Sequence, residues 1–388
     1  MELFLQILKL LLLVSGSCYI LTILVFIFGW CRLKIVKPVS ILNFSTKITI
    51  LVPARNEEDC IIQCIQDIEQ QNFPHQMVQL ILINDHSTDS TLERIEEYIS
   101  KRALQEKKIE IKVLNLIEEA AGQAYKKKAI SLGITHATGT LIITTDADCR
   151  RGKDWLSALV GYYEQEHPKF ISGPVSYFAE KNWFEKFQTL EFLGLIGIGA
   201  ASISCDIPIM CNGANLAFSK AVFNEVNGYE GINSMASGDD VFLMLKIAQH
   251  HPKGIHFLKS REAIVYTSPK ASLSEFLEQR KRWASKGAQY KNFSGLFTGI
   301  CTYLFNLLLL TSAGISIFYN TFAFVFIAVL ALKLFVEFLF LYAVTGFFRR
   351  RILLLYFLQE QMLYTPYIIW VGAIGTFKTY TWKGRQVK

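Results

Sequence analysis

Three kinds of hydrophobic pattern follow one another along the chain. From Leu10 to Trp30 no charge interrupts an apolar run of about 20 residues, enough to cross a bilayer core of about 30 Å. Gly295 to Tyr319 and Phe322 to Val344 are two later runs of the same kind, joined by a very short turn at Asn320. Between Lys34 and Phe293 the pattern changes. Lys47 to Val52 is a short β-branched strand, after which Ile61, Ile62, Ile65 and Ile68 recur at helical spacing and Asn56 stands where it would cap a helix from Glu57. Val78 to Ile83 reads as a second strand, with a helix through Leu92, Ile95 and Ile99 behind it. Ile109 to Leu114 is a third, and a helix around Ala129 and Leu132 leads to a fourth, Thr140 to Thr144. Such alternation predicts an α/β domain with a mostly parallel sheet and helices on both faces. The expected organisation is an N-terminal transmembrane anchor at 1–33, a globular domain at 34–293, and a C-terminal membrane region at 294–388 with two or three spans.

Charge orients the spans. The first run lacks the basic lead and small-residue cleavage pattern of a signal peptide, and Arg32, Lys34 and Lys37 follow it. Arg349, Arg350 and Arg351 close the late pair of runs. By the positive-inside rule both features place the globular domain on the cytoplasmic side of an inner membrane. Lys333 and Glu337 lie four apart on one helix face and can pair, the alternative being a transport role. Ile352 to Phe377 is broken by Gln359-Glu360-Gln361 and Pro366 and followed by Lys378, Lys383, Arg385 and Lys388. Either it spans and carries that basic tail outside, or it lies at the interface. Phe184, Phe187, Leu190, Phe192 and Leu193 form one more apolar helix, for the core or for the membrane.

Composition narrows the class. With 388 residues, 51% of them hydrophobic and 19% charged, the chain is neither disordered nor wholly lipid-embedded. A net charge of +7 without clustering is no nucleic-acid footprint. Eight cysteines at unrelated spacings, with no CxxC, give no zinc site and fit a reducing compartment.

Polar clusters follow three of the strands, and in such sheets ligands bind beyond the carboxyl ends. Asp146 and Asp148 leave the fourth strand one residue apart; in an extended chain both point the same way and can hold a divalent cation, unless they are only a solvated turn. Asp85 ends the second strand and can accept from a ribose or base, or form an Asx-turn. Lys126, Lys127 and Lys128 open a helix, facing phosphates or water. Asn212-Gly213-Ala214-Asn215 is a turn, and Asp239 and Asp240 open an apolar helix, where capping competes with chemistry. Gln279-Arg280-Lys281-Arg282-Trp283 precedes the second membrane region, so lipid head groups compete as its partner.

In their order along the chain, ILVPARNEE, INDHSTD, TTDAD, NGANLAF, SGDD and QRKRW make the sequence similar to glycosyltransferase family 2. It resembles the membrane-anchored branch that includes ceramide glucosyltransferase-like enzymes and the cellulose, chitin and hyaluronan synthases. The resemblance runs from about residue 47 to 283, with TTDAD and QRKRW its most specific pieces. It implies a GT-A fold, Rossmann-like with a mostly parallel sheet, and a nucleotide-sugar donor, commonly a UDP-sugar. By motif position Pro53, Arg55, Glu57 and Asp85 would line the donor pocket, with Lys126 or Lys127 nearby. Asp146 and Asp148 would hold Mg2+ or Mn2+ against the diphosphate. Asp240 matches the general base and is preceded by Asp239, where relatives often carry Glu. Gln279, Arg282 and Trp283 match the segment at the leaving phosphate and acceptor, and Asn212, Gly213 and Asn215 fall beside the acceptor.

The expected reaction is inverting transfer of one sugar to a membrane-associated acceptor, a lipid rather than a glycan because so few spans make a narrow bundle. A processive polysaccharide synthase and a catalytically silent nucleotide-sugar-binding subunit are the alternatives.

Overall fold

The computed structural model describes residues 2–37, 44–102, 109–116, 125–232, 237–285, 292–374, 380–382 and 385–387. The chain begins α1 (Glu2–Arg32), β1 (Ile48–Ala54), α2 (Ile61–Glu69), β2 (Val78–Asn84), α3 (Thr91–Arg102), β3 (Glu110–Asn115), α4 (Tyr125–His136) and β4 (Leu141–Thr144). It continues β5 (Arg150–Arg151), α5 (Trp155–Glu166), β6 (Phe170–Ser172), β7 (Val175–Tyr177), α6 (Trp183–Ser204), β8 (Leu216–Ser219), α7 (Lys220–Glu225), α8 (Asp239–His250), β9 (Ile255–Phe257) and β10 (Val265–Thr267). The helices α9 (Leu273–Ala284), α10 (Phe293–Ser316), α11 (Asn320–Phe347) and α12 (Phe357–Ile374) follow, then a short ladder of β11 (Tyr380–Trp382) and β12 (Arg385–Val387).

The chain folds as two units. Leu33–Ala179, Met210–Ser268 and Thr381–Lys388 form the sheet-bearing one, and Met1–Arg32, Glu180–Ile209 and Pro269–Tyr380 the helical one. In the first, β1, β2 and β4 are runs of Ile, Leu and Val buried almost throughout, as strands covered on both faces must be. The seven-stranded order is β3-β2-β1-β4-β8-β6-β9. β1 lies parallel to β2 and β4, as does β2 to β3, whereas β8 runs antiparallel to both β4 and β6. The sheet is therefore mixed, in line with the expected mostly parallel one. β8 runs against β4, and Leu216 pairs with Thr144, so the turn before β8 ends beside the last residue of β4. A small second sheet, β5-β10-β7, completes the unit.

In the helical unit α1 packs on α6, α10 and α11, and α12 packs on α6, α9 and α10. Small residues permit the close approaches: a Cβ at Gly29 would lie 2.4 Å from the Ala201 carbonyl oxygen of α6. Four helices, α1, α6, α10 and the part of α11 from Phe322, are long and apolar enough to cross a membrane. Three match the expected runs. The fourth, α6, is mostly buried, unlike the other three. Within the unit, Lys333 reaches Glu337 at 3.0 Å and also donates to Gln361, while the Tyr19 hydroxyl donates to Glu337 at 2.5 Å. The paired reading of Lys333 and Glu337 is the one the geometry realises. Ile352 to Phe377 resolves into a 3-10 turn and α12, whose Glu360 and Gln361 are buried, and its last residues lie outside the described ones, as do Lys378, Lys383 and Lys388.

Candidate active site

The loops after β1 and β2 clamp one another at the carboxyl rim of the sheet. Arg55 Nη1 donates to the carbonyls of Asp85 and His86 at 2.9 and 3.0 Å. The Glu57 N–H donates to Thr91 Oγ1, the Glu58 N–H to Asp89, and the Ser90 N–H to Glu58. Asn56 does not cap a helix. It sits at φ +51 and accepts from the Thr88 N–H, and the helix starts later, at Ile61. Crossing to the neighbouring loop gives the Asn56 amide a partner that local capping would deny it. Asp85 is buried beside His86, whose Nδ1 lies 3.1 Å away. Pro53 stays within β1.

After β4 the chain does not continue extended. The Cys149 N–H donates to the Asp146 carbonyl, closing a turn over Asp146-Ala147-Asp148. Asp146, Asp148 and Cys149 still bring one ligand atom each within 4.8 Å of one another. Tertiary folding thus achieves by a turn what strand alternation was expected to give. The Cys149 thiol donates to Asp148 at 3.6 Å, and burial, then the carboxylates of Asp148 and Asp146, push its pKa well up. The two aspartates supply hard oxygen ligands of the kind Mg2+ and Mn2+ take, so the donor set fits such an ion.

Three further motifs converge here. Lys126, in the first turn of α4, places its ammonium 2.6 Å from Asp146 and 3.5 Å from Asp239. Burial opposes that charge, but Asp146 and Asp239, the hydrogen bond to Asp146 and then Asp240 outweigh it and raise its pKa. Gly238, at φ +81, sets the start of α8, so neither aspartate is the N-cap residue; both lie in the first turn, where the helix dipole favours carboxylates. Asp240 accepts the Gly213 N–H at 3.1 Å. A Cβ at Gly213 would lie 3.3 Å from the Lys126 ammonium and 3.5 Å from Asp240, so the backbone comes close because this residue is glycine.

Two predicted residues turn inward instead. Lys127 is buried and donates to the carbonyls of Ile232 and Ser237, bracing the chain ahead of α8. Asn215 is 0% exposed; its amide donates to the carbonyls of Pro174 and Ala263 and accepts from the Trp155 indole. It secures the turn from inside and has no surface to offer an acceptor, which corrects that expectation. Asn212 shapes the turn by accepting the Ala214 N–H. Sequence reading passed over Tyr229, buried, with its pKa pushed well up by burial, then by Asp239 and Asp240. It also passed over Cys149, although that residue directly follows Asp148.

Gln279, Arg282 and Trp283 belong to the helical unit, half-buried on α9. Trp283 packs on Phe192 with ring centroids 6.1 Å apart. Arg280, within the same motif but given no role by it, is buried against Glu191.

A mixed α/β sheet with carboxylates and a lysine gathered on its rim, in a chain with long apolar helices, defines a membrane-associated GT-A-like protein. Comparison with known proteins fixes the family. Residues 49–226 match glycosyl transferase family 2, and residues 141–368, more than half of the chain, match glycosyl transferase family group 2. The chain belongs to this family. It is 32% identical over 165 residues to the 4,4'-diaponeurosporenoate glycosyltransferase of Staphylococcus aureus strain MRSA252, covering 42% of this chain and 40% of that one. The protein of that name from strain RF122 / ET3-1 is 31% identical over the same length and coverage. The chain thus matches less than half the length of these relatives. A mannosyltransferase from Pyrobaculum calidifontis, solved in complex with GDP-Man and Mn2+, shares the fold with a TM-score of 0.60 at 15% identity, over 87% of this chain and 98% of that one.

Proposed function

We propose that this glycosyltransferase moves one sugar from a nucleotide donor, in the first instance a UDP-sugar, to a lipid acceptor at the membrane surface, inverting the anomeric centre by direct displacement. One observation carries the reading: Lys126 ties Asp146 to Asp239 while Asp240 takes the Gly213 N–H, gathering four separate motifs on the rim where ligands bind in such sheets. The relatives named for a carotenoid acid acceptor fit a lipid-like substrate, and the fold neighbour solved with GDP-Man and Mn2+ fits a metal-assisted donor.

Roles follow from the chemistry. As the bond from anomeric carbon to diphosphate breaks, negative charge builds on the leaving group. Asp146 and Asp148 would hold Mg2+ or Mn2+, which when bound offsets that charge by several kcal/mol. Lys126, already charged and poised between carboxylates, turns to the phosphates, and the role of a second cation falls to Arg282 by its sequence motif alone. Asp85, with the loop that Arg55 braces and Glu57 adjoins, receives the nucleoside. Asp240 takes the acceptor hydroxyl's proton, with Asp239 beside it, and by its sequence motif alone Trp283 is assigned to the acceptor.

The active site faces the cytoplasm in this reading, because Arg32, Lys34 and Lys37 follow α1 and Arg349, Arg350 and Arg351 follow α11. Chain connectivity keeps α6 from acting as a span. At 22 residues it is about 33 Å long, yet β7 before it and β8 after it belong to the same sheet-bearing unit. If α6 crossed, residues 205–215 would have to return through lipid without a helix, which unsatisfied backbone groups forbid.

The test is nucleotide release by membranes carrying wild type or Asp240→Asn, with Mn2+ and a panel of nucleotide sugars, followed by lipid extraction. Donor-specific release by wild type alone, with the sugar in the lipid fraction, is the expected result. Label held in an insoluble polymer would point to a processive synthase. Equal background release from both proteins across the panel would point to a silent binder.

A further inference from the structure

We infer that Glu191, in the middle of the apolar helix α6, is a positioning residue that fixes Trp283 and Gln279 through Arg280. The inference rests on the reading of the Gln279–Trp283 segment as part of the transfer site. Two polar side chains three residues apart on α6 both reach the α9 segment. Gln188 exchanges hydrogen bonds with the backbone of Lys270, donating to its carbonyl at 2.9 Å and accepting its N–H at 3.0 Å, just ahead of the Ser272 cap of α9. Glu191 receives Arg280 Nε at 3.1 Å on each carboxylate oxygen and Arg280 Nη2 as well, and it accepts the Tyr367 hydroxyl at 3.1 Å.

The guanidinium held in this way touches the motif on both sides. Its Nη1 donates to Gln279 Oε1 at 2.6 Å, and its plane centre lies 4.2 Å from the Trp283 ring and 4.4 Å from the Phe276 ring. Positions 276, 280 and 283 share one face of the helix, so a single cation sits between two aromatic side chains. Phe192, next to Glu191, meets the indole as well. Arg280 and Glu191 are 2% and 5% exposed. A buried ion pair is a poor source of stability compared with apolar residues of the same size. What it adds is a planar donor fork, fixed by hydrogen bonds, against which an indole and a carboxamide take one orientation. Glu191 therefore acts through Arg280 on the side chains that would meet the acceptor, without touching the acceptor itself.

The experiment uses the full chain in detergent micelles and reads UDP release from UDP-glucose with Mn2+ while a bacterial lipid extract is varied as acceptor. In parallel, 5-fluorotryptophan labelling follows the Trp283 resonance, assigned with Trp283→Phe. Glu191→Gln is expected to lower kcat/KM for the acceptor about 10²-fold, the scale of a misplacement of about 1 Å, with the donor KM unchanged. The Trp283 resonance should shift, and Glu191→Asp should recover most of both effects. The double variant Glu191→Gln with Arg280→Met removes both charges at similar volume and should fold at least as well as wild type while keeping the acceptor defect and the shifted resonance. Wild-type kinetics and an unmoved Trp283 resonance in that double variant would overturn the inference. If wild type turns over neither UDP-glucose nor any other donor of the nucleotide-sugar panel, the transfer reading has failed, and the fluorine resonance in Glu191→Gln and the double variant still decides whether Glu191 sets Trp283.

Discussion

In the sheet-bearing unit Lys126 holds Asp146 and Asp239 with 21% of its side chain open to water, beside 37% for Asp146 and 14% for Asp239. In the helical unit Arg280 and Glu191 leave 2% and 5%. Both clusters are dense in charge, yet they differ in what they can exchange. Water and ions reach the first, so its lysine can trade one anionic partner for another as a ligand arrives. The second is closed by Phe276, Trp283 and Tyr367 and saturated by hydrogen bonds, so its charges hold a geometry. Partial exposure marks charges that take part in binding and release. Complete burial marks charges that hold other groups in place.

Chemistry at the open cluster should respond most strongly. Asp240→Asn should lower turnover by about 10²–10⁴-fold, the contribution of a positioned base, while nucleotide binding with Mn2+ measured by calorimetry stays near wild type. Loss of binding and turnover together would make Asp240 a structural partner of Gly213 instead.

Stability should sort the clusters the other way. Glu191→Gln leaves a buried guanidinium without its counter-charge and should cost about 3–5 kcal/mol, whereas Lys126→Met breaks a partly solvated pair and should cost about 0–1 kcal/mol. Thermal melts of the two variants in the same detergent check the ordering. Equal losses would erase the distinction drawn from burial.

Metal binding bears on the open cluster alone. Because Lys126 sits 2.6 Å from Asp146, it competes with a dication for that carboxylate. Without nucleotide, Lys126→Met should bind Mn2+ about tenfold more tightly, as relief of a like-charge contact near solvent implies. Paramagnetic titration of both proteins reads this without turnover, and an unchanged affinity would separate Lys126 from the metal site.

The mildest change is at Glu164, which belongs to neither cluster and is held by Ser45 and Thr46. Burial of Glu164 opposes its charge, but hydrogen bonds from Thr46 and Ser45 outweigh it and lower its pKa. The folded state then binds this proton less readily than the unfolded chain does. The stabilisation is present above the ordinary carboxylate range and is lost as the pH falls through the lowered value. Glu164→Gln should remove that component from the acid limb of the melting curve, leaving nucleotide release unchanged.

Much of this could be read in advance. Ile48 to Val52, Val78 to Ile83 and Leu141 to Thr144 announce strands because buried parallel strands need unbroken apolar runs, and the runs in α1, α10 and α11 announce themselves by length. The acidic motifs were visible as motifs for the same reason, since each follows a strand or opens a helix within a few residues. Local order along the chain carries that information.

Other features depend on partners far away in sequence. Asn56 looks like a cap until the loop after β2 claims it, and Asn215 looks like an acceptor contact until Pro174, Ala263 and Trp155 enclose it. Lys126 and Lys127 are equivalent on paper; folding sends one to Asp146 and Asp239 and the other beneath the chain ahead of α8. Glu191 is an interruption in an apolar helix until Arg280, 89 residues later, meets it. The elements, the order of the motifs and the apolar helices follow from periodicity and short-range hydrogen bonding, so they can be read along the chain. Which charged groups face water and which are sealed depends on the elements packed around them, so it is settled only on folding.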